Sequence, residues 1–286
     1  MKLLMSHFAR LIPVVAAVLS CVAGPLAAQS VFPDKALEAA VRKEVFAKRF
    51  NEEPITADDV KNISQVVAKG KGITNLEGLQ HCAAIMLIDL ENNQIADLAP
   101  LKELKQLQSV NLAGNQIESI EPMAGLVAMQ YLELSRNKVK DIAPVKAMTN
   151  MRSLYLSDNQ ITTLESVQEL KKIWTLYAAR NPIADFAPVG QLKWLSSLDL
   201  QGCQIKDLSF LKPLTELRYL MLIDNQLADL APLVEMCSAD SQGDKRFAPF
   251  LKLYLHNNPL SDAAKNEQLA KLKEIGVRLN LDPIKK

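Results

Sequence analysis

The chain has 286 residues, a formal net charge of +1 and 49% hydrophobic residues, so it is long enough to form one elongated domain with a sizeable core. Its near balance of basic and acidic residues excludes the strongly basic surface that binding to nucleic acid or anionic lipid requires. The three histidines leave little material for histidine-based catalysis.

Residues 1–28 have the layout of a secretory signal peptide. Lys2 and Arg10 give a positive start, the apolar run that follows is short of the roughly 20 residues of a membrane-spanning helix, and Ala28 marks the expected cleavage site. Cleavage there lowers the formal charge from +1 to −1 because two basic residues are lost. The alternative is lipidation of Cys21, since VLSC is similar to a bacterial lipobox. Both routes predict an exported protein, periplasmic or secreted, with no membrane insertion other than a possible lipid anchor.

Residues 29–62 predict a helical N-terminal cap. Asp34 stands where an N-cap is expected, ahead of apolar residues at helical spacing such as Val41 and Val45. Thr56 begins a second predicted helix with acidic residues in its first turn. Terminal repeats of a stacked fold need such a cover because their outer apolar face has no neighbour.

From residue 63 to residue 262 the chain repeats every 22 residues, which predicts an α/β solenoid of roughly nine coils. Apolar residues three and five positions before a recurring asparagine alternate with polar ones, which predicts one short strand per coil and a parallel sheet. We expect this asparagine ladder to be buried and to satisfy backbone groups at each turn. The ladder positions are Asn93, Asn115, Asn137, Asn159, Asn181, Cys203, Asn225 and Asn258.

Proline and aspartate recur after the ladder. Proline fixes φ and lacks an N–H, which favours an extended or 3₁₀ convex side over full helices. One aspartate per coil at a turn is typical of backbone capping, and no metal or cofactor is predicted. The prolines are Pro100, Pro122, Pro144, Pro188 and Pro232, and the aspartates are Asp97, Asp141, Asp185, Asp207 and Asp229.

The 22-residue period is interrupted once, by an insertion near residues 237–247. Its polar residues, Ser238 to Phe247, predict a loop. Beyond the repeats, residues 263–286 predict a C-terminal cap, because an amphipathic helix from Asp262 to Ile275 ends at Gly276.

Three cysteines remain after the predicted cleavage, and an odd number argues against a disulfide scaffold. Cys82 falls where other repeats carry leucine or methionine, so we expect it to be a small buried residue. Cys203 takes a ladder position. Cys237 borders the insertion and is expected to be the accessible cysteine.

The segments VFPDKALEAAV, ITADDV and GITNLEGLQ, followed by repeats of the form LxLxxNxIxDLxPLxxL, resemble the bacterial internalin-like leucine-rich repeat family. The resemblance covers nearly all of the mature chain. It implies a right-handed curved solenoid with a parallel sheet on its concave face, a 3₁₀ or irregular convex side and a protein bound on the concave face. The chain departs from surface-anchored members because it lacks a cell-wall sorting motif, an immunoglobulin-like segment and attachment repeats.

The outward-facing strand positions hold all five tyrosines of the chain. Tyrosine combines a large apolar body with a polar tip, as protein-binding surfaces do, although it also simply favours strands. We expect Trp174 and Trp194, just ahead of their strands, to pack between coils. The predicted partner-binding residues are Tyr131, Tyr155, Tyr177, Tyr219, Tyr254, Glu133, Asp199, Met221 and His256.

Three functional hypotheses follow from these observations. The first is an exported module without enzymatic activity that binds a protein through the concave face. The second is a structural envelope-associated solenoid without a dedicated partner. The third is a glycan-active protein that uses acidic strand residues such as Glu133 and Asp199. The sequence contains no glycine-rich phosphate loop and no metal-ligand cysteine spacing, so it offers no direct support for catalysis.

Overall fold

A computed structural model describes residues 29–281. The predicted signal peptide, the Cys21 lipidation site and residues 282–286 lie outside the described residues. Among residues 29–281, no helix combines the length and the apolar character needed to cross a bilayer.

The centre of the structure is one parallel sheet of ten strands, in which every strand pairs with the next one along the chain. This arrangement confirms the predicted α/β solenoid. The strands are β1 (Gln65–Val67), β2 (Leu87–Asp89), β3 (Ser109–Asn111), β4 (Tyr131–Glu133), β5 (Ser153–Tyr155), β6 (Thr175–Tyr177), β7 (Ser197–Asp199), β8 (Tyr219–Met221), β9 (Lys252–Tyr254) and β10 (Arg278–Asn280).

The sequence period sets the strand register. Leu154 on β5 lies opposite Leu132 on one side and Leu176 on the other, one 22-residue repeat away in each direction. These central residues are fully buried, while most of the residues on either side of them in their strands stay half-exposed. Successive residues of a strand point to opposite faces, so each strand contributes one residue to the core and two to the outer face. The two outer positions therefore form continuous columns across the sheet.

The asparagine ladder connects the coils inside the turn after each strand. Asn159 is buried, and its Oδ1 accepts the Val139 N–H of the preceding coil at 2.9 Å. Its Nδ2 donates to the carbonyls of Leu134 at 3.0 Å and Leu156 at 2.9 Å. As predicted, one side-chain amide thus forms hydrogen bonds with buried backbone groups of two coils that would otherwise lack partners.

Cys203 interrupts this ladder. Its Sγ lies 3.4 Å from the Ala178 carbonyl oxygen, but a thiol has no carbonyl oxygen to accept a backbone N–H as the asparagine Oδ1 does in other coils. The equivalent amide of the coil before, Ile161, donates to its ladder asparagine at 3.0 Å. Within residues 29–281, the Ile183 N–H finds no such acceptor. One hydrogen bond between coils is therefore lost.

The backbone after Cys203 is also distorted. Gln204 has a φ of 60°, a left-handed conformation that among the corresponding residues of the other described coils only Gly72 adopts. Among residues 29–281 the Gln204 N–H does not donate to the Ile183 carbonyl, although the equivalent Gln226 N–H donates to Ile205 at 2.9 Å. A lateral cleft of about 780 Å³, lined by Ile183, Cys203 and Ile205 among others, separates the two coils here. We call it the Cys203 cleft.

The convex side consists of 3₁₀ turns, and four of the five recurring prolines stand at the start of one, as predicted. The recurring aspartates accept backbone N–H groups, as Asp141 does from Ala143 at 2.7 Å, so their capping role is confirmed. The 3₁₀ helices are Phe46–Lys48, Leu79–His81, Ala99–Leu101, Glu121–Met123, Ala143–Ala147, Glu165–Glu169, Ala187–Gln191, Ser209–Leu211 and Ala248–Phe250.

Helix α1 (Lys35–Glu44) caps the first coil. Asp34 accepts the N–H groups of Ala36 and Leu37 at 3.0 and 3.1 Å, which confirms the predicted N-cap. The other oxygen of this carboxylate accepts the Thr74 N–H at 2.9 Å. Asp34 therefore starts the helix and joins it to the first coil.

Helix α2 (Ala57–Val60) starts at Thr56 with a capping box. The Asp59 carboxylate accepts the Thr56 N–H at 2.7 Å and pairs with the Lys48 ammonium at 2.8 Å. Burial opposes ionisation of Asp59, but the hydrogen bonds from Lys48 and Thr56 outweigh it and lower the pKa of this carboxyl to about 2.

The insertion contains a helix, which the sequence did not predict. Helix α3 (Ala231–Gln242) begins with Pro232 in its first turn and ends at Gly243, so the predicted loop is reduced to the residues that follow. Cys237 is fully buried on this helix, and burial raises the pKa of its thiol to about 12. The expectation of an accessible cysteine was wrong, because the inserted residues extend the convex turn into a helix that packs on the core.

The C-terminal end is closed by a π-helical turn (Ala264–Gln268) that continues into α4 (Leu269–Ile275). Gly276 ends the helix with a φ of 104°, where a side chain would be strained, and the chain then adds β10 to the sheet. The predicted helix and its glycine stop are both present.

Candidate functional site

The outer face of the sheet presents two columns of side chains. The third strand positions form one column, which we call the tyrosine column. The first strand positions form the other, which we call the serine column. The tyrosine column contains Asp89, Asn111, Glu133, Tyr155, Tyr177, Asp199, Met221 and Tyr254; the serine column contains Ser109, Tyr131, Ser153, Thr175, Ser197, Tyr219 and Lys252.

Three of the five tyrosines form a cluster. The ring centroids of Tyr131 and Tyr155 are 5.4 Å apart, and those of Tyr155 and Tyr177 are 5.1 Å apart in an edge-to-face arrangement. The Tyr177 hydroxyl lies 3.0 Å from the Ser197 Oγ. Burial raises the pKa of Tyr131 to about 12 and that of Tyr155 in the same direction, so both hydroxyls stay protonated at neutral pH. The cluster offers an apolar surface that also carries hydroxyl groups.

The other two tyrosines lie apart from this cluster, beyond β7. Tyr219 contacts Lys252, whose ammonium lies 4.8 Å from the ring centroid and 3.3 Å from the hydroxyl. Tyr254 lies beside Met221 in the tyrosine column. The structure thus divides the predicted tyrosine face into a group of three and two separate residues.

Two carboxylates flank the Tyr155–Tyr177 pair in the tyrosine column. Glu133 accepts the Ser135 N–H at 2.7 Å, and Asp199 accepts a backbone N–H from Gln201 at 3.0 Å. Burial raises the pKa of both carboxyls. Within the described part of the chain neither forms an ion pair, whereas Asp158 nearby pairs with Arg180.

His256 lies two positions after Tyr254. Its Nδ1 is buried and has no hydrogen-bond partner among residues 29–281. The predicted role of His256 as a contact residue is not tested by this geometry. In the same range of residues, no three His, Cys, Asp or Glu side chains come together as a metal site would require.

The tryptophans form a feature that sequence reasoning missed. Trp174 and Trp194 are 53% and 58% exposed, so the expectation that they pack between coils was wrong. They line a groove of about 520 Å³ at the N-terminal ends of β6 to β8, together with Tyr177 and Tyr219. We call it the tryptophan groove. It extends the outer face of the sheet beyond the two columns.

The alignment of the repeats contained a signal for this exposure. Other coils carry Gln130 and Arg152 at the position of Trp174, and Asn150 and Glu216 at the position of Trp194. Positions that hold polar residues in most coils face solvent, so tryptophan at these positions is exposed as well.

Comparisons with known proteins agree with this architecture. Family models for leucine-rich repeats match residues 87–125, 127–172 and 191–208. Internalin C2 of Listeria monocytogenes is 27% identical with a TM-score of 0.63, over 88% of this chain and 95% of that chain. Internalin F of the same organism is 22% identical with a TM-score of 0.52, over 88% and 90% of the two chains.

A more distant similarity is to the leucine-rich repeat ectodomain of the plant membrane receptor kinase GASSHO1/SCHENGEN3 from Arabidopsis thaliana, solved in complex with Casparian strip integrity factor 2. It is 21% identical with a TM-score of 0.58, over 72% of this chain and 29% of that chain. No curated protein matches the sequence. The repeat models, the ten-stranded parallel sheet and the likeness to internalin C2 lead to one conclusion: the chain folds as a leucine-rich repeat solenoid similar to those of the internalins.

Proposed function

We propose that this protein is an exported binding module, without catalytic activity, that recognises a protein partner through the tyrosine-bearing face of residues 63–262. The observation that carries the proposal is the cluster of Tyr131, Tyr155 and Tyr177, packed ring against ring on an open sheet face. Rigid aromatic side chains lose little entropy on binding and dominate the energies of protein interfaces.

The fold supports this proposal. Solenoids present an extended surface, and the plant receptor ectodomain of the same fold was solved in complex with Casparian strip integrity factor 2. The unpaired carboxylates of Glu133 and Asp199 on either side of the tyrosine pair add polar groups that a partner can satisfy.

A pulldown from envelope and extracellular fractions tests the proposal, with the chain as bait. We expect a specific partner whose affinity falls by at least about 30-fold, or ~2 kcal/mol, when Tyr131 and Tyr155 are both replaced by serine. The control variant replaces Lys146 and Lys171, which are exposed on the convex side, by alanine and should bind normally. If the tyrosine variant loses thermal stability and keeps its affinity, the tyrosines stabilise the sheet and do not bind the partner. The hypothesis of a structural solenoid without a dedicated partner is then correct.

Export rests on residues 1–28. We expect the full-length chain to leave the cytoplasm and to lose this segment, whereas a chain that begins at residue 29 should stay inside the cell. Fractionation followed by mass determination of the mature protein measures both. A lipid-bearing mass at Cys21 would favour the lipoprotein route, and an unprocessed cytoplasmic chain would refute export.

A further inference from the structure

The tryptophan groove has aromatic walls that are costly to expose. Trp174 and Trp194 remain more than half exposed, while most of the other large apolar side chains of the solenoid are buried. Thr175, Ser196 and Ser197 supply hydroxyl groups between them. A volume of about 520 Å³ with aromatic walls and a few polar groups is typical of sites that hold one or two side chains or a small ligand.

The rim of this groove is positively charged. The Arg152 guanidinium lies 5.0 Å from the Trp174 ring, the Arg218 guanidinium lies 4.6 Å from the ring of Phe250, and Lys252 lies over the Tyr219 ring. Over the described range, 29–281, none of these three cations forms an ion pair with a carboxylate.

The one carboxylate that lines the groove is already neutralised. Glu216 forms an ion pair with Arg246, which comes from the insertion. Three cations without ion-pair partners therefore lie in or beside this opening. Arg218 lines it, and Arg152 and Lys252 contact the rings of the wall residues Trp174 and Tyr219. This distribution of charge fits a ligand that presents an apolar side chain next to carboxylates, and it opposes a basic one.

We propose that the tryptophan groove is a second anchor site for the protein partner, and that it takes an acidic segment whose apolar side chain enters between Trp174 and Trp194. This inference rests on the proposed function and identifies the chemistry of the partner. A neutral saccharide would stack on the tryptophans but would leave Arg152, Arg218 and Lys252 without counter-charges. The acidic segment uses both the rings and the cations.

The chain itself carries the reporter for a test. Trp174 and Trp194 are its two tryptophans, so tryptophan fluorescence reports on the groove alone. Peptides selected from a random displayed library on the immobilised chain are synthesised without tryptophan and titrated against the full chain. We expect the selected peptides to combine a leucine or aromatic residue with aspartate or glutamate, and to change the tryptophan emission in a saturable manner.

Charge reversal tests the rim. Arg152→Glu together with Arg218→Glu should weaken these peptides at least tenfold, whereas Lys146→Glu with Lys171→Glu on the convex side should leave their affinity unchanged. Equal melting temperatures of both variants show that folding is intact. Selection of basic or uncharged peptides, binding that leaves the emission unchanged, the absence of any binder, or an emission change with neutral monosaccharides alone would each overturn the inference.

The same variants separate this inference from the proposed function. If capture of the natural partner falls with the Tyr131 and Tyr155 variant but is unaffected by reversal of Arg152 and Arg218, the groove is not an anchor and the proposed function stands. If the acidic peptides bind in the groove and the tyrosine variant captures the partner normally, the proposed function fails while the groove site remains.

Discussion

Replacing Cys203 by asparagine should stabilise the solenoid. The new Oδ1 would reach the Ile183 N–H, which has no acceptor among residues 29–281, and the new Nδ2 would donate to the carbonyl of Ala178, where Sγ now lies at 3.4 Å. An unsatisfied buried N–H costs about 1–3 kcal/mol, so we expect a gain in unfolding free energy of that size. For a domain of this length, each kcal/mol raises the melting temperature by roughly 2–4 °C.

Thermal and urea unfolding of the two proteins measure this gain. Cys203→Ala is the matched control because it removes the thiol without supplying an amide, and it should be no more stable than the original protein. Closure of the Cys203 cleft should also slow hydrogen exchange at Ile205, whose N–H is bonded to Asn225 in the next coil. If Cys203→Asn leaves the melting temperature unchanged or lowers it, the missing ladder contact is not the weak point of the fold.

Three further predictions concern other parts of the chain. Asn159→Ala should lower the unfolding free energy by about 1–3 kcal/mol in urea titrations, because the backbone groups of two coils lose their partner; an unchanged midpoint would contradict the ladder. The contribution of Asp59 to stability should be fully present above the unfolded pKa of an aspartate, near 4, and should be lost as the pH falls towards its folded value of about 2. Melting curves of Asp59→Asn should therefore differ from the original most at neutral pH and converge with it in acid. Because burial raises the pKa of Glu133, its ionised form destabilises the fold at neutral pH; Glu133→Gln should raise the melting temperature at pH 7 and have less effect at low pH, and the opposite trend would refute this account.

The repeat could be predicted from the sequence because one period fixes both the strand register and the ladder. Asn159 and Leu154 each occupy positions that recur every 22 residues, and the structure places them where the alignment predicted. The starts of the two N-terminal helices could also be predicted, because Asp34 and Thr56 are local N-cap signals that act over three residues. The strand register, the ladder and the helix N-caps were therefore predicted correctly.

Features that break the period could not be predicted in the same way. The segment around Cys237 has no counterpart in other coils, so its buried side could not be recognised by comparison with them. The rim of the tryptophan groove combines Arg152, Arg218 and Lys252 from three different coils, and their contacts with aromatic rings depend on side-chain conformations. A periodic pattern specifies which positions face outward, but it does not specify which neighbouring residues those side chains contact.

The ladder hydrogen bonds have a direction along the chain. Asn159 bonds to its own coil and to Leu134 and Val139 of the coil before it, and the other ladder asparagines follow the same rule. During synthesis from the N-terminus, each new asparagine therefore meets partners that have already been made, and the solenoid can grow coil by coil as it emerges. Shortening the protein from its C-terminal end leaves every remaining ladder side chain satisfied but removes the acceptor of one backbone N–H, as the loss of Asn159 would for Val139. Shortening it from the other end leaves the first ladder side chain without its partners in the preceding coil. The two ends of the solenoid therefore lose different hydrogen bonds on truncation.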